Sequence, residues 1–337
     1  MVGRSEGETL TLSAAMAANA FTQPIIDGQV APQGVRLITS VLHGSETFWR
    51  QLRFGDFDLS EMSLSSLLIA TARGDRTWVA LPIFAMRRFF HTGILVRSDA
   101  GIETPQDLIG KRVGVPEYQQ TSAIWSRGIL EDQFGVSPTQ IHWFMERGPD
   151  RSHGDATGFK PPPGVRLEQI PPTTDIGAML LSGELDATLL YLNEKNLIDR
   201  SSANLDISTV VRPLFPDGAA EGVRFHRATG LFPINHGMVI RRSLLEQHPW
   251  LALNIYTAFV QAKEAARKVA DGVLAPYFDA GQLDASAKGA LAKDPAAYGM
   301  KAARRELETV ARYLHAQGLT DRQVALEECF AEQTMGF

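Results

Sequence analysis

The stretch FDLSEMSLSSLLIATARGD, residues 57–75, predicts a short strand that runs directly into a helix. The strand covers residues 57–62, and the apolar run 64–72 has the length of a helix and stops at a Gly-containing turn. A further apolar segment, 78–84, predicts the next strand. A strand, a helix and another strand in this order are typical of βαβ units, so the stretch indicates an α/β fold with a parallel sheet.

The same alternation continues on both sides of this stretch. Ser45 is the predicted N-cap of a helix that ends at Gly55, and residues 98–105 are a predicted linker into a second α/β unit. Residues 147–164 form a polar loop of a length that is usually functional or mobile. The other predicted strands are 9–15, 34–42, 93–97, 113–116, 141–145, 165–170, 186–190 and 237–241. The other predicted helices are 123–134 (capped by Thr121 or Ser122), 175–181, 244–269 and 306–317.

Two α/β units, with the chain crossing between them and returning, predict a two-lobed hinge protein. Each lobe is expected to be a mostly parallel sheet flanked by helices. We expect residues 1–98 and 223–337 to form lobe 1, with the C-terminal helices on it, and residues 99–222 to form lobe 2. Ligands of such folds bind in the crevice outside the carboxyl ends of the strands, so the predicted site is the cleft between the lobes.

Composition excludes several classes of protein. The 337 residues suffice for about two domains, and 44% hydrophobic with 21% charged residues excludes a disordered chain. The net charge of −5 leaves no basic surplus for nucleic acid. Cys329 is the single cysteine, which excludes intrachain disulfides, zinc sites built on cysteine pairs and thioredoxin-type chemistry. The sequence also lacks Gly-x-Gly-x-x-Gly, Walker A, His-Glu-x-x-His and Gly-x-Ser-x-Gly motifs.

The N-terminal segment does not have the pattern of a secretory signal. Residues 14–20 look like a cleavage region, but the preceding segment carries Arg4, Glu6 and Glu8, and residues 9–13 alternate instead of forming an apolar core. No stretch approaches the roughly 20 consecutive apolar residues of a membrane-spanning helix. We therefore expect a cytoplasmic protein without a membrane partner.

Several motifs resemble a known family. The segments TPQDLIGKRVGVP (104–116) and LLSGELDA (180–187) resemble two elements of the second lobe of type II periplasmic binding proteins. More specific are EMSLSS (61–66), residues 110–120 with 125–130, and TGLFPINH (229–236), accompanied by Pro249-Trp250, the helix through Ala258-Phe259 and Tyr298-Gly299. Together these are similar to the 4,5-dihydroxyphthalate decarboxylase family, and the resemblance extends from about residue 24 to residue 318.

The resemblance implies a cytoplasmic enzyme on a binding-protein fold that decarboxylates a hydroxylated aromatic acid without oxidation. The implied reaction converts 4,5-dihydroxyphthalate to protocatechuate and CO2, and a homo-oligomer is implied, formed through the C-terminal helices. One region departs from the family pattern: residues 189–196 read LLYLNEKN where the family places an Arg/Pro-containing segment near the ligand. The departure changes the expected cleft wall.

Decarboxylation of an arene leaves negative charge on a ring carbon, so the site needs a proton donor, a cationic cradle, groups for the phenols and an apolar patch. Glu61, at the end of an apolar strand, is a candidate acid. His91 and His236 adjoin strand starts in the segments that should cross between the lobes, and are candidate proton donors. We expect no cofactor. In the alternative, Glu61, His91, Glu117 and His236 bind a divalent metal ion.

The predicted substrate-binding residues lie at strand ends and helix starts. Arg87 and Arg88 suit bidentate carboxylate binding, and the helix start at residues 64–66 offers backbone N–H groups for a second carboxylate. The remaining candidates are Ser63, Ser65, Glu117, Tyr118, Gln119, Gln120, Arg127 and Phe232.

Two other functions fit the same fold. One is a non-catalytic solute-binding protein for a small aromatic or carboxylate ligand. The other is a different small-molecule enzyme, such as those of the futalosine route to menaquinone, which would need a deeper cleft.

Overall fold

A computed structural model describes residues 9–206 and 208–337. Arg4, Glu6 and Glu8, on which the expectation about a leader depends, lie outside the described residues. The strands are β1 (Leu10–Met16), β2 (Val35–Val41), β3 (Leu59–Ser63), β4 (Trp78–Arg87), β5 (Leu95–Arg97), β6 (Arg112–Val115), β7 (His142–Met145), β8 (Arg166–Gln169), β9 (Ala187–Thr188), β10 (Val211–Pro213) and β11 (Ile234–Arg241).

Helices lie between many of the strands, and the last four helices follow β11. They are α1 (Gln23–Ile26), α2 (Gly44–Phe54), α3 (Leu64–Ala72), α4 (Thr121–Phe134), α5 (His153–Thr157), α6 (Ile176–Ser182), α7 (Gly218–Thr229), α8 (Arg242–Gln247), α9 (Leu251–Asp279), α10 (Ala285–Leu291) and α11 (Met300–Ala316). The predicted polar loop 147–164 contains α5.

The first lobe is built on a five-stranded sheet with the order β2-β1-β3-β11-β4. Strand β1 runs parallel to β2 and β3, as βα units require, whereas β11 inserts antiparallel between β3 and β4. The chain therefore leaves the first lobe after β4 and returns to its centre with β11. This insertion makes residues from both chain segments direct neighbours.

The second lobe is built on a six-stranded sheet with the order β10-β5-β9-β6-β7-β8. The strands β9, β6, β7 and β8 are parallel to one another. Near one edge, β5 runs antiparallel to both of its neighbours, β9 and β10. The predicted two-lobed α/β fold is confirmed, with a mixed sheet in each lobe. We expected residues 93–97 in the first lobe, but β5 pairs with β9 and β10 in the second. The exact lobe boundaries stay predictions.

Two predicted helix starts were wrong by one or two residues because the capping group differs. The N-cap of α2 is His43, whose Nδ1 accepts a hydrogen bond from the Ser45 backbone N–H at 3.3 Å. The N-cap of α4 is Gln120, so Thr121 is already helical.

Helix α4 joins the two lobes. Residues 121–130 are buried on every face, which is typical of a helix inside a protein core. The Trp125 indole donates a hydrogen bond of 2.9 Å to the Ile234 carbonyl of β11. From the other side, Arg312 and Tyr313 of α11 contact the Asp132 carboxylate at 2.6 and 2.9 Å. The C-terminal helix thus contacts the second lobe as well as α3 of the first.

The contact between α4 and α11 is tight at Gly128, because a Cβ atom there would overlap the ring of Tyr313. We predict that Gly128→Ala lowers the free energy of unfolding by about 1–3 kcal/mol through overpacking. The control is Gly272→Ala in α9, where a Cβ atom meets nothing within 4 Å. That substitution should be neutral or stabilising by up to about 1 kcal/mol. Urea denaturation measures both, and equal effects would contradict the predicted packing.

Candidate functional site

A cavity of about 250 Å³ lies between the two sheets. Its wall includes the starts of α2 and α4 and the hinge strand β11, with Ser45, Ser122 and His236 among the lining side chains. The cleft position matches the expectation for ligands of two-lobed α/β folds. Five apolar side chains form much of the remaining wall: Phe48, Met86, Phe90, Leu190 and Leu192.

Hydroxyl groups fix the start of α3 against the start of α4. The Thr121 hydroxyl lies 2.8 Å from the Ser63 hydroxyl and accepts a hydrogen bond from the Ser65 backbone N–H at 3.0 Å. The Ser65 hydroxyl donates to the Gln119 carbonyl at 2.6 Å. Of the two predicted serines, Ser63 lines the cavity, whereas Ser65 is buried in this junction.

The start of α4 presents hydrogen-bond donors to the cavity. Gln120, Thr121 and Ser122 line it. The Gln120 side chain is buried, and among the described residues its Nε2 has no hydrogen-bond acceptor. The positive end of a 14-residue helix adds to these donors. This part of the wall suits an anionic group, and it contains Gln120, one of the predicted substrate-binding residues.

Arg147 is a cavity residue that the sequence did not single out. It follows β7 and is buried, and its guanidinium donates to Asp199 Oδ1 at 2.7 and 2.9 Å and to the Ser45 hydroxyl at 2.7 Å. Although burial acts to raise the pKa of Asp199, the charge of Arg147 holds it below its ordinary value. Arg147 lies just after the carboxyl end of β7, where ligand-binding residues of such folds are found. From the sequence it was assigned to a long polar loop, so this position was not recognised.

Glu117 contacts Arg147 and the start of α5 from outside the cavity wall. Its carboxylate accepts from the Ser152 hydroxyl at 2.7 Å and from the His153 backbone N–H at 3.1 Å, and lies 3.9 Å from Arg147 Nη1. Burial raises the pKa of Glu117, and the charge of Arg147 opposes that rise. Glu117 was predicted to bind substrate, but the structure does not place it in the cavity wall.

His153 lines the cavity beside Arg147, with its Nε2 3.4 Å from Arg147 Nη1. Burial, followed by the positive charge of Arg147, lowers the pKa of His153 to about 3. The ring is therefore neutral near pH 7 and presents a hydrogen-bond acceptor to the guanidinium. No sequence pattern distinguishes this histidine from the others.

Glu61 and His236 are brought together as neighbours on one face of the first sheet. Strand pairing sets His236 opposite Ser63 and Met238 opposite Glu61, so Glu61 and His236 are diagonal neighbours. Their Oε1 and Nδ1 atoms are 3.4 Å apart, and Glu61 Oε2 accepts from the Ala17 N–H at 3.1 Å. A break in the register of β11 against β4 flanks His236, a device that re-aims side chains.

His91 is not part of this group. It is fully buried, its Nε2 lies 3.0 Å from Glu221 Oε1, and it packs on Phe225. Burial lowers its pKa. The four residues of the alternative metal site are therefore not assembled. Among residues 9–206 and 208–337, no group of three or more His, Cys, Asp or Glu side chains is arranged to hold a metal ion.

The two predicted arginines point in different directions because they are consecutive at a strand end. Arg88 is exposed and lines the cavity. The Arg87 side chain is buried away from it, donating to Glu306 Oε1 and to the Phe232 and Ala297 carbonyls, each at 3.1 Å.

The other predicted binding residues serve packing. Tyr118 is buried, and the Arg127 guanidinium stacks 3.8 Å from its ring centre. Arg127 also donates to Gln317 Oε1 at 2.9 Å, and Gln119 exchanges hydrogen bonds with Thr157. Phe232 packs on Phe89 at 4.9 Å. None of these side chains is in the cavity wall.

No helix in the described part of the chain combines the length and the apolar character that crossing a membrane requires.

Comparison with known proteins gives consistent similarities. The family model for phosphonate-binding periplasmic proteins of ABC transporters matches residues 28–155. The 4,5-dihydroxyphthalate decarboxylase of Comamonas testosteroni is 34% identical over 329 residues, which covers 95% of this chain and 96% of that protein. A protein of the same name from Pseudomonas putida is 39% identical over 180 residues, covering 53% of this chain and 70% of that one.

Among solved structures, the alkanesulfonate-binding protein SsuA from Xanthomonas axonopodis pv. citri, bound to MOPS, aligns with a TM-score of 0.55. The alignment covers 97% of this chain and 99% of that one at 15% sequence identity, so the two proteins share a fold.

The buried His153 generates a prediction about pH. Because its pKa is about 3 when folded and near 6.5 when unfolded, the unfolded chain binds the extra proton between these values. His153 therefore contributes stability above pH 6.5 that is lost as the pH falls toward 3. We predict that His153→Asn reduces the loss of unfolding free energy between pH 7 and pH 4.5, measured by urea denaturation. Equal pH slopes for variant and wild type would contradict the assignment.

Proposed function

The chain belongs to the 4,5-dihydroxyphthalate decarboxylase family and is a carboxy-lyase, and from this we propose that it converts 4,5-dihydroxyphthalate to protocatechuate and CO2 in the cavity between its lobes. The observation that carries the proposal is the pairing of a buried guanidinium, Arg147, with the donor-rich start of α4 in a cavity that also has a group of apolar wall residues. Such a cavity is complementary to an aromatic ring that bears carboxylates.

One carboxylate is proposed to bind at the inner end of the cavity. Arg147 supplies a fixed guanidinium, because Asp199 and Ser45 hold it through Nε and Nη2, and its Nη1 is proposed to donate to the substrate carboxylate. The Gln120 amide and the backbone N–H groups at the start of α4 supply neutral donors. A substrate carboxylate that accepts from these donors forms charge-assisted hydrogen bonds in a poorly solvated site. The second carboxylate is proposed to face the exposed Arg88.

The ring is proposed to lie against Phe48, Phe90 and Leu190. Apolar contacts of this kind exclude water from the leaving carboxylate, which becomes uncharged CO2. The phenol para to that carboxylate donates electron density into the ring, so the ipso carbon becomes the site of protonation.

His236 is the proposed proton donor. Glu61 Oε1 lies 3.4 Å from Nδ1, which leaves Nε2 for the substrate. The proton forms a bond to the ipso carbon, the bond to the carboxylate breaks, and its electron pair restores the aromatic ring. The imidazole then regains a proton from solvent, so the net reaction consumes one proton and releases CO2.

The remaining expectations belong to the same proposal. The proposed reaction uses this chain's side chains alone, so we propose that no cofactor is required. A cytoplasmic location and a homo-oligomeric assembly also remain proposals.

The proposal is tested by incubating the protein with 4,5-dihydroxyphthalate and following protocatechuate by chromatography, with and without a chelator. We predict turnover that survives chelation. His236→Asn should lower kcat by about 10²–10⁴-fold, the usual size of a general-acid contribution. His248→Asn, which alters a half-buried histidine outside the cavity wall, is the matched control and should retain wild-type kcat.

Three results would contradict parts of this proposal. Saturable binding of the substrate without turnover would contradict the assigned reaction. Activity that a chelator abolishes and a divalent ion restores would contradict its cofactor independence. Wild-type kcat in His236→Asn would remove His236 from the chemistry and direct attention to Glu61.

A further inference from the structure

The segment that departs from the family pattern forms one wall of the cavity. Leu190, Leu192 and Glu194 alternate along the chain and all line the cavity, as expected of an extended segment with one face inward. Between them, the Tyr191 hydroxyl donates to the Ala203 carbonyl at 2.8 Å. From the sequence we expected this segment to change the cleft wall and assigned no role to its individual residues.

The far end of the segment is tied to the anion-binding end of the cavity. The Asn196 amide donates to Asp199 Oδ2 at 3.1 Å, and Asp199 Oδ1 accepts from Arg147 at 2.7 Å. The position of Glu194 is thereby coupled to the position of Arg147.

Glu194 is the single acidic side chain among the described residues that line the cavity. Its side chain is 81% exposed, whereas Arg147 and Gln120 are buried. The donors of Arg147 and Gln120 therefore lie in the buried part of the cavity, whereas the Glu194 carboxylate lies at its exposed mouth, as Arg88 does. The Glu194 carboxylate lies 3.6 Å from His43 Nε2, at the start of α2 on the opposite lobe.

We propose that Glu194 accepts hydrogen bonds from the ring hydroxyls of the substrate and thereby selects hydroxylated aromatic acids over unhydroxylated ones. This inference rests on the proposed function and adds a specificity-determining residue to it. A phenol O–H pairs well with a carboxylate, while a substrate carboxylate at the same place is repelled. The ring therefore enters with a carboxylate leading and its hydroxyls toward the mouth.

The same contact favours the reaction. A carboxylate that accepts a hydrogen bond from a phenol draws the proton away from the phenol oxygen, which increases electron donation into the ring. His43 Nε2 lies 3.6 Å from this carboxylate, across the cleft.

The test compares two ligands that the enzyme does not consume, protocatechuate and benzoate, which differ only in their hydroxyls. Calorimetric titration of Glu194→Gln should show a Kd for protocatechuate raised about tenfold, as for loss of a partly exposed charge-assisted hydrogen bond. The Kd for benzoate should change by less than about twofold. The control Lys195→Gln, next to Glu194 but outside the cavity wall, should change neither.

Each other outcome overturns the inference. If Glu194 only ties the lobes together through His43, both ligands lose affinity to the same degree. If neither Kd changes, or if wild-type protein binds neither acid, Glu194 does not accept hydrogen bonds from the ring hydroxyls. Turnover of 4,5-dihydroxyphthalate is measured separately, so a protein that prefers protocatechuate through Glu194 but lacks turnover would sustain this inference while overturning the proposed reaction.

Discussion

Hydrogen bonds among the hydroxyls of Ser63, Ser65 and Thr121 fix the point at which the two lobes meet. They hold the first residues of α3 against the first residues of α4, at the edge of a continuous apolar core that includes residues of both sheets. Because the junction is buried, its polar atoms depend on each other as partners, and separating the lobes there would leave them unsatisfied. The position of the cavity and the direction of α4 follow from this junction.

The order of strands and helices could be predicted because each βα unit carries its own periodicity and stop signals. The place of β11 could not, since its insertion between β3 and β4 depends on pairing between distant segments. The same limit explains β5: a short apolar strand contains no information about which sheet it joins, and the structure places it in the second lobe.

The residues of the candidate site were also predictable only in part. Glu61 and His236 were both candidates, and strand pairing brings them together. His91 was an equally strong candidate from the sequence, but it pairs with Glu221 instead. Arg87 and Arg88 are consecutive, and only the structure shows which faces the cavity. Arg147 was missed because burial and the anchoring carboxylate Asp199, 52 residues away in sequence, give it its role. Charge alone does not distinguish such a residue from a solvated arginine.

The cavity between the lobes is proposed to bind the aromatic acid with a carboxylate at Arg147 and the start of α4. A crystal structure of the protein with protocatechuate tests this directly. We expect a ring against Phe48 and Leu190, with its carboxylate within hydrogen-bond distance of the Arg147 guanidinium and the Gln120 amide. A ring bound outside this cavity, or one whose carboxylate faces solvent at the mouth, would contradict it.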